Sequence, residues 1–418
     1  MNHRKTCCGR DFTLVVAGQI ISLFGNAILR FALPLYLLKE TGSSALFGTV
    51  TALALLPMIL LSLLGGVLAD RVNKRNIMAG LDFLTAFIIL VFYVLVGRAP
   101  VIPLFIVTLM LLYGVSGTYQ PAVQASIPAL VPKERVLPAS AIVNQIGSLA
   151  SFIGSVIGGM LYGFRGIGSI LKVSILCFLM SAVMELFIVI PFHKRSEEKT
   201  VICIVKEDIK ESTRFLKEKK PVFIRICFII AGFNLFLSSM ITIGIPVIIV
   251  ERLSMADQLL GITQGLLAVG GIIGGLFTAA FEKMLNPGKA YTLLLLCAFC
   301  ACMMGVGMLL PEQTHFLKYL ILSGAGMLVM IFSTMFSIQM LAVVQTQTPA
   351  HLIGKVIACI MAFIMCAQPA GQMLYGILFE KMSKGTPFIM IGTGAVSFLI
   401  ALYAKNILRE LGGNGCNE

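Results

Sequence analysis

The chain has 418 residues, 58% hydrophobic and 12% charged, with a formal net charge of +13. A soluble domain of this length needs more charge to stay dispersed, so the composition excludes a soluble enzyme or a soluble nucleic-acid-binding domain. It indicates helices that satisfy their own backbone within lipid. Most Lys and Arg lie in short segments between apolar runs, where they read as membrane topology.

At about 20 residues per crossing, the apolar runs predict an all-α integral membrane protein with twelve transmembrane helices. The first six are expected near 13–38, 45–69, 75–97, 101–130, 139–163 and 167–191. The others are expected near 221–250, 256–281, 290–310, 316–345, 352–378 and 385–405. Arg4, Lys5 and Arg10 precede the first run, but that run is too long for a cleaved signal peptide. With the N-terminus placed in the cytoplasm, 23 of the 32 Lys and Arg fall on the cytoplasmic side and 8 on the other, while Arg30 lies within a span. This asymmetry predicts both termini in the cytoplasm.

In the first span, Gln19, Ser22, Asn26 and Arg30 share one helical face. The second span ends in Asp70-Arg71, and Lys74-Arg75 opens the third, giving a tight charged hairpin. Asp82 follows about two turns later and has two readings: a partner for the charged loop, or a coupling acid. The fourth span carries Tyr113, Ser116, Gln120 and Gln124 on a stripe, and the fifth carries Gly154, Gly158 and Gly159, small enough for close helix approach. Glu185 is the second intramembrane carboxylate, in the sixth span.

Residues 192–220 form a long connection with nine Lys/Arg and six Asp/Glu. Within it, Ile202, Val205, Ile209 and Leu216 lie near one face of a predicted surface helix. The expected organisation is a six-helix bundle over 1–191, a cytoplasmic linker over 192–220, and a second six-helix bundle with a short tail over 221–418.

The second half repeats the first. Met160-Leu161-Tyr162-Gly163 recurs as Met373-Leu374-Tyr375-Gly376, Pro34 as Pro246, and Asp70-Arg71 as Glu282-Lys283. This near-constant offset implies two pseudo-symmetric bundles. Ser22, Asn26 and Arg30 then correspond to Asn234, Ser238 and Thr242, while the tenth span carries Ser333, Ser337 and Gln339. The ninth span, with no strongly polar side chain from Leu293 to Leu310, reads as an outer helix. Its Cys297 and Cys300 have only apolar neighbours and read as packing residues.

Gly66-Val67-Leu68-Ala69-Asp70-Arg71-Val72-Asn73-Lys74-Arg75 resembles the G-x-x-x-D-R-x-x-[RK]-[RK] loop between the second and third helices of the major facilitator superfamily. Gly154-Ser155-Val156-Ile157-Gly158-Gly159 is similar to the G-P-x-x-G-G antiporter motif of exporters in that family, with Ser155 at the proline position. Ala17-Gly18-Gln19, Ser22-Leu23, Thr41-Gly42-Ser43 and Asp82 extend the resemblance to its bacterial macrolide-efflux and siderophore-exporter branch. Thr85 stands where many relatives of that branch have Arg, and Leu109 to Leu130 contains no basic residue, so a relay through those arginines is not expected.

The resemblance implies a secondary transporter of the bacterial plasma membrane that exports a small amphipathic compound by alternating access and proton antiport. Uptake, or lipid movement by the same fold, is the second transport reading; a transporter-like sensor or assembly partner is a third. The expected cavity residues are Gln19, Ser22, Asn26, Arg30, Tyr113, Ser116, Gln120, Asn234, Ser238, Thr242, Ser333 and Ser337. Asp70, Arg71, Lys74, Arg75, Glu282 and Lys283 are expected to gate it, and Asp82 and Glu185 are the candidate proton carriers. The expected partners are a small-molecule substrate, a proton or other coupling ion and the lipid bilayer, with the chain acting as a monomer. No phosphate-binding loop, nucleophile elbow or metal-ligand spacing is present in the sequence, so no enzyme activity, cofactor, metal or nucleic acid is expected.

Overall fold

The computed structural model describes residues 10–132, 135–190, 201–281, 286–349 and 352–414. Five helices form its first part: α1 (Arg10–Thr41), α2 (Ser44–Arg71), α3 (Lys74–Leu95), α4 (Val101–Leu130) and α5 (Val136–Leu186). The helix α6 (Val201–Glu218) follows. Then come α7 (Pro221–Phe233), α8 (Ser239–Val247), α9 (Asp257–Ala280), α10 (Tyr291–Gly307), α11 (His315–Gln347), α12 (Ile353–Lys381) and α13 (Thr386–Asn414). Two π-helical turns, Asn234–Ser238 and Ile248–Arg252, flank α8, so Pro221–Arg252 winds as one continuous stretch.

Among the described residues, eleven helical stretches are long and apolar enough to cross a membrane. One of them contains two expected spans. The 51 residues of α5 would reach about 76 Å at helical rise, more than twice the thickness of a hydrocarbon core. Gly166 interrupts that run with φ 68° and ψ −173°, a backbone that only glycine adopts readily. The chain is a multi-pass, all-helical membrane protein, and the break at Gly166 accounts for the twelfth segment.

Side-chain periodicity orients the helices. On α3, Met78, Asp82, Thr85, Ile89 and Phe92 are buried, whereas Phe83, Phe87, Leu90 and Val94 are exposed. An exposed apolar face of that extent belongs in lipid. On α10, Cys297, Cys300 and Met304 are buried, while Leu296, Phe299, Met303 and Val306 are exposed. Between α2 and α3 only Val72 and Asn73 intervene. Asn73 ends the turn and caps α3, its side-chain oxygen accepting from the Arg75 N–H at 3.0 Å.

The chain divides into two compact units: Met1–Leu37 with Leu53–Val205, and Leu38–Ala52 with Lys206–Glu418. In the first, α2 and α4 approach until a Cβ added at Gly117 would stand 2.5 Å from the Met58 carbonyl. In the second, α9 and α11 make the equivalent approach, with Gly270 against the Met327 carbonyl and Gly274 against that of Ile331. Small residues are what allow backbones this close in a bilayer, where lipid tails compete for apolar contact.

The predicted apolar face of α6 is buried at Leu216 but not at Ile209. Ser212, Phe215 and Leu216 are buried, whereas Ile209 is 41% exposed; the side chains of Ile202 and Val205 lie outside the described residues. Lys355 at the start of α12 pairs with both Asp208 at 2.8 Å and Glu211 at 2.7 Å on α6.

Candidate functional site

Within the first unit, the polar stripes of α1 and α4 meet rung by rung. Arg30 lies over the ring of Tyr113, 4.6 Å from its centroid. One turn along α1, the Asn26 amide donates to Ser116 Oγ at 3.1 Å. Further on, Gln19 Nε2 donates to the Tyr119 hydroxyl at 2.6 Å. As α1 steps down from 30 to 26 to 19, α4 steps up from 113 to 116 to 119, as expected for antiparallel helices in contact. The sequence stripe continued from Ser116 to Gln120; the structure uses Tyr119 instead and leaves Gln120 exposed. A step of three instead of four was the signal for Tyr119, since both steps keep a residue on one helical face.

The two intramembrane acids converge on the buried end of this column. Ser22 Oγ donates to Asp82 Oδ1 at 3.1 Å, and Tyr119 donates to Glu185 Oε1 at 2.7 Å. Asp82 is 2% exposed and Glu185 fully buried. Among the described residues, Asp82 meets Ser22 on α1 and Ser181 on α5. Arg75 turns its Nε to Asn76. Gly18 lies beside the same pair, where an added Cβ would make ordinary contacts, 3.5 Å from Ser181 Oγ and 3.7 Å from Glu185 Cγ.

Three atoms in this cluster are buried without a hydrogen-bond partner: Gln19 Oε1, Asp82 Oδ2 and Glu185 Oε2. None of the groups bonded to the carboxyls is a cation. Leaving a charged carboxylate so placed costs several kcal/mol, whereas a proton added to it supplies the missing donor. Ser22, Asn26, Asp82, Thr85, Ser116 and Tyr119 border a recess with room for a water-sized group. Glu185 does not line it. The apolar cluster of Phe12, Val15, Met78, Val123 and Ile188 packs around Tyr119.

Glycines set the helix spacing on which the column depends. A Cβ at Gly154 on α5 would fall 2.5 Å from the Ala27 Cβ on α1, and one at Gly158 would lie 3.3 Å from the Phe31 ring. Gly159 is buried on the same stretch.

No matching network is formed by the expected residues of the second unit. Asn234 donates to the Ile364 carbonyl at 3.5 Å, Thr242 to the Ser238 carbonyl at 2.9 Å, and Ser337 to the Ser333 carbonyl at 2.9 Å. These are bonds to backbone, and Ser337 is exposed. Gln339 is the outlier: it is 7% exposed, and neither amide atom has a partner. Of the expected gating residues, Lys74 and Arg75 are half-buried. The side chains of Asp70 and Arg71, and Glu282 and Lys283 altogether, lie outside the described residues.

A family model for the Major Facilitator Superfamily matches residues 15–370. Macrolide efflux protein A of Streptococcus pyogenes is 24% identical over 411 residues, covering 96% of this chain and 97% of that protein. The enterobactin exporter EntS of Salmonella typhimurium is 24% identical over 419 residues, covering 96% and 92%. Among solved structures, the nucleoside transporter NupG superposes with a TM-score of 0.74 at 11% identity, covering 95% of this chain and 99% of that one. A D-xylose–proton symporter superposes with a TM-score of 0.68 at 13% identity, covering 94% and 96%.

Proposed function

The chain belongs to the major facilitator superfamily, and from that membership we propose that this transporter exports a small, partly apolar compound by alternating access in exchange for protons. It works as a monomer in the plasma membrane of a bacterium, with both termini in the cytoplasm. Relatives named for macrolide efflux and enterobactin export support the outward direction. The observation that carries the coupling is the convergence of Asp82 and Glu185 on one buried network, each with an unpartnered oxygen. An exchanger needs a group that gains and loses a proton as access alternates, and these carboxyls supply it.

The test uses purified protein in proteoliposomes with a radiolabelled macrolide, a lipophilic cation and a catecholate siderophore as separate probes. At least one should accumulate in vesicles that are acidic inside, as protons leave in exchange, and Asp82→Asn should abolish accumulation while leaving gradient-free exchange of that probe. Accumulation indifferent to the pH gradient in the wild type overturns proton coupling.

The charged hairpin is assigned to gating in the same cycle. Asp70, Arg71, Lys74 and Arg75, with Glu282 and Lys283 at the repeat position, hold the cytoplasmic side while the cavity opens outward. Asp70→Asn should slow transport without loss of membrane insertion; unchanged turnover would sink this assignment.

A further inference from the structure

Asp82 and Glu185 differ in how they are reached. Asp82 borders the recess, whereas Glu185 is fully buried and does not. Tyr119 spans the difference: it lines the recess, and its hydroxyl donates to Glu185 Oε1 at 2.7 Å. The titratable groups facing that hydroxyl are Asp82 from α3 and Glu185 from α5. Gln19 and Ser22 of α1 complete its surroundings, and Ser22 also holds Asp82.

We propose that the Tyr119 hydroxyl is the proton passage between the recess and Glu185, so that Asp82 loads first and Glu185 is loaded through the tyrosine. The step balances at each oxygen. A proton from the Asp82 carboxylic acid passes to the Ser22 hydroxyl, whose own proton forms a new O–H bond on Tyr119. The original Tyr119 O–H bond breaks as its proton passes to Glu185 Oε1. Asp82 is left as a carboxylate, Glu185 becomes the acid, and Tyr119 returns to its starting state. Gln19 Nε2 fixes the ring by donating to the same oxygen and leaves one lone pair free to receive the proton. Passage through hydroxyls suits an acid that solvent does not touch, because protons move along hydrogen bonds without moving a heavy atom. Tyr119 is a relay for the coupling reading above, and the proposal rests on that reading.

The experiment follows the carboxyl infrared bands of the purified transporter after a pH jump, with bands assigned by Asp82→Asn and Glu185→Gln. In the wild type both bands should respond. In Tyr119→Phe the Asp82 band should respond at the wild-type rate and the Glu185 band roughly a hundredfold slower. Incorporating a fluorinated tyrosine at position 119 keeps the hydroxyl and its shape but changes its acidity. It should shift the Glu185 rate alone, which a merely structural hydroxyl would not do. Wild-type Glu185 rates in both variants overturn the relay while leaving coupling intact. A wild-type protein with no responding carboxyl overturns the coupling reading and the relay together.

Discussion

Asp82 on α3 accepts a hydrogen bond from Ser22 on α1 at 3.1 Å, and its other oxygen, also buried, has no partner. A buried acid held from one side only is poised between two states. Protonated, it fills its missing contact; ionised, it leans on Ser22. Ser22→Ala should therefore lower stability by about 1–2 kcal/mol and weaken the response of transport to a pH gradient. Thermal unfolding in detergent and gradient-driven uptake measure the two effects; no change in either would make the bond incidental.

Gradient-free exchange of a transported probe should vary with pH in the wild type, because the two acids share one network. In the Asp82→Asn/Glu185→Gln double variant the profile should become flat. A profile retaining its wild-type shape would move the coupling group elsewhere in the chain.

Arg30 is exposed over Tyr113, with its Nη2 4.0 Å from the Met58 sulfur. The stacking contributes about 0.5–1 kcal/mol at an exposed position, so Arg30→Gln should leave the unfolding temperature nearly unchanged. If Arg30 binds cargo, the concentration for half-maximal transport should rise severalfold for an anionic probe and little for a cationic one. Equal effects on both probes would reduce Arg30 to a structural role.

Gly154→Val would drive a branched side chain into Ala27, where even a Cβ comes within 2.5 Å. The expected loss is about 1–3 kcal/mol from forced separation of α1 and α5. Gly147, whose added Cβ would meet nothing within 4 Å, is the control on the same helix. Equal unfolding temperatures for Gly154→Val and Gly147→Val would contradict the close approach.

Lys355→Glu should free α6 by replacing two ion pairs with repulsion from Asp208 and Glu211. Both carboxylates are partly exposed, so the stabilisation is small, about 0.5–1 kcal/mol. The sensitive readout is limited proteolysis across residues 201–218, which should quicken, then slow again when Asp208→Lys and Glu211→Lys are added. Identical cleavage in all three proteins would show that the pairs do not dock the helix.

Hydropathy and periodicity marked the spans, the charged hairpin and the polar faces of α1 and α4, because they depend on how each segment meets lipid or water. The residues 19, 22, 26 and 30 had to share a face at helical spacing, whatever lay opposite. Tertiary structure decided which partner each rung met. Periodicity says where a side chain points on its own helix, whereas contact depends on how closely the neighbouring helix approaches and at what height. Gly117 sets the approach of α4 to α2 and Gly154 that of α5 to α1, and the packed helices place Tyr119 against Glu185 and Asp82 against Ser22. The second half shows the same limit from the other side. Its repeat was legible in the sequence, yet Asn234, Thr242 and Ser337 bond to backbone carbonyls, which the pattern of their own helices did not specify.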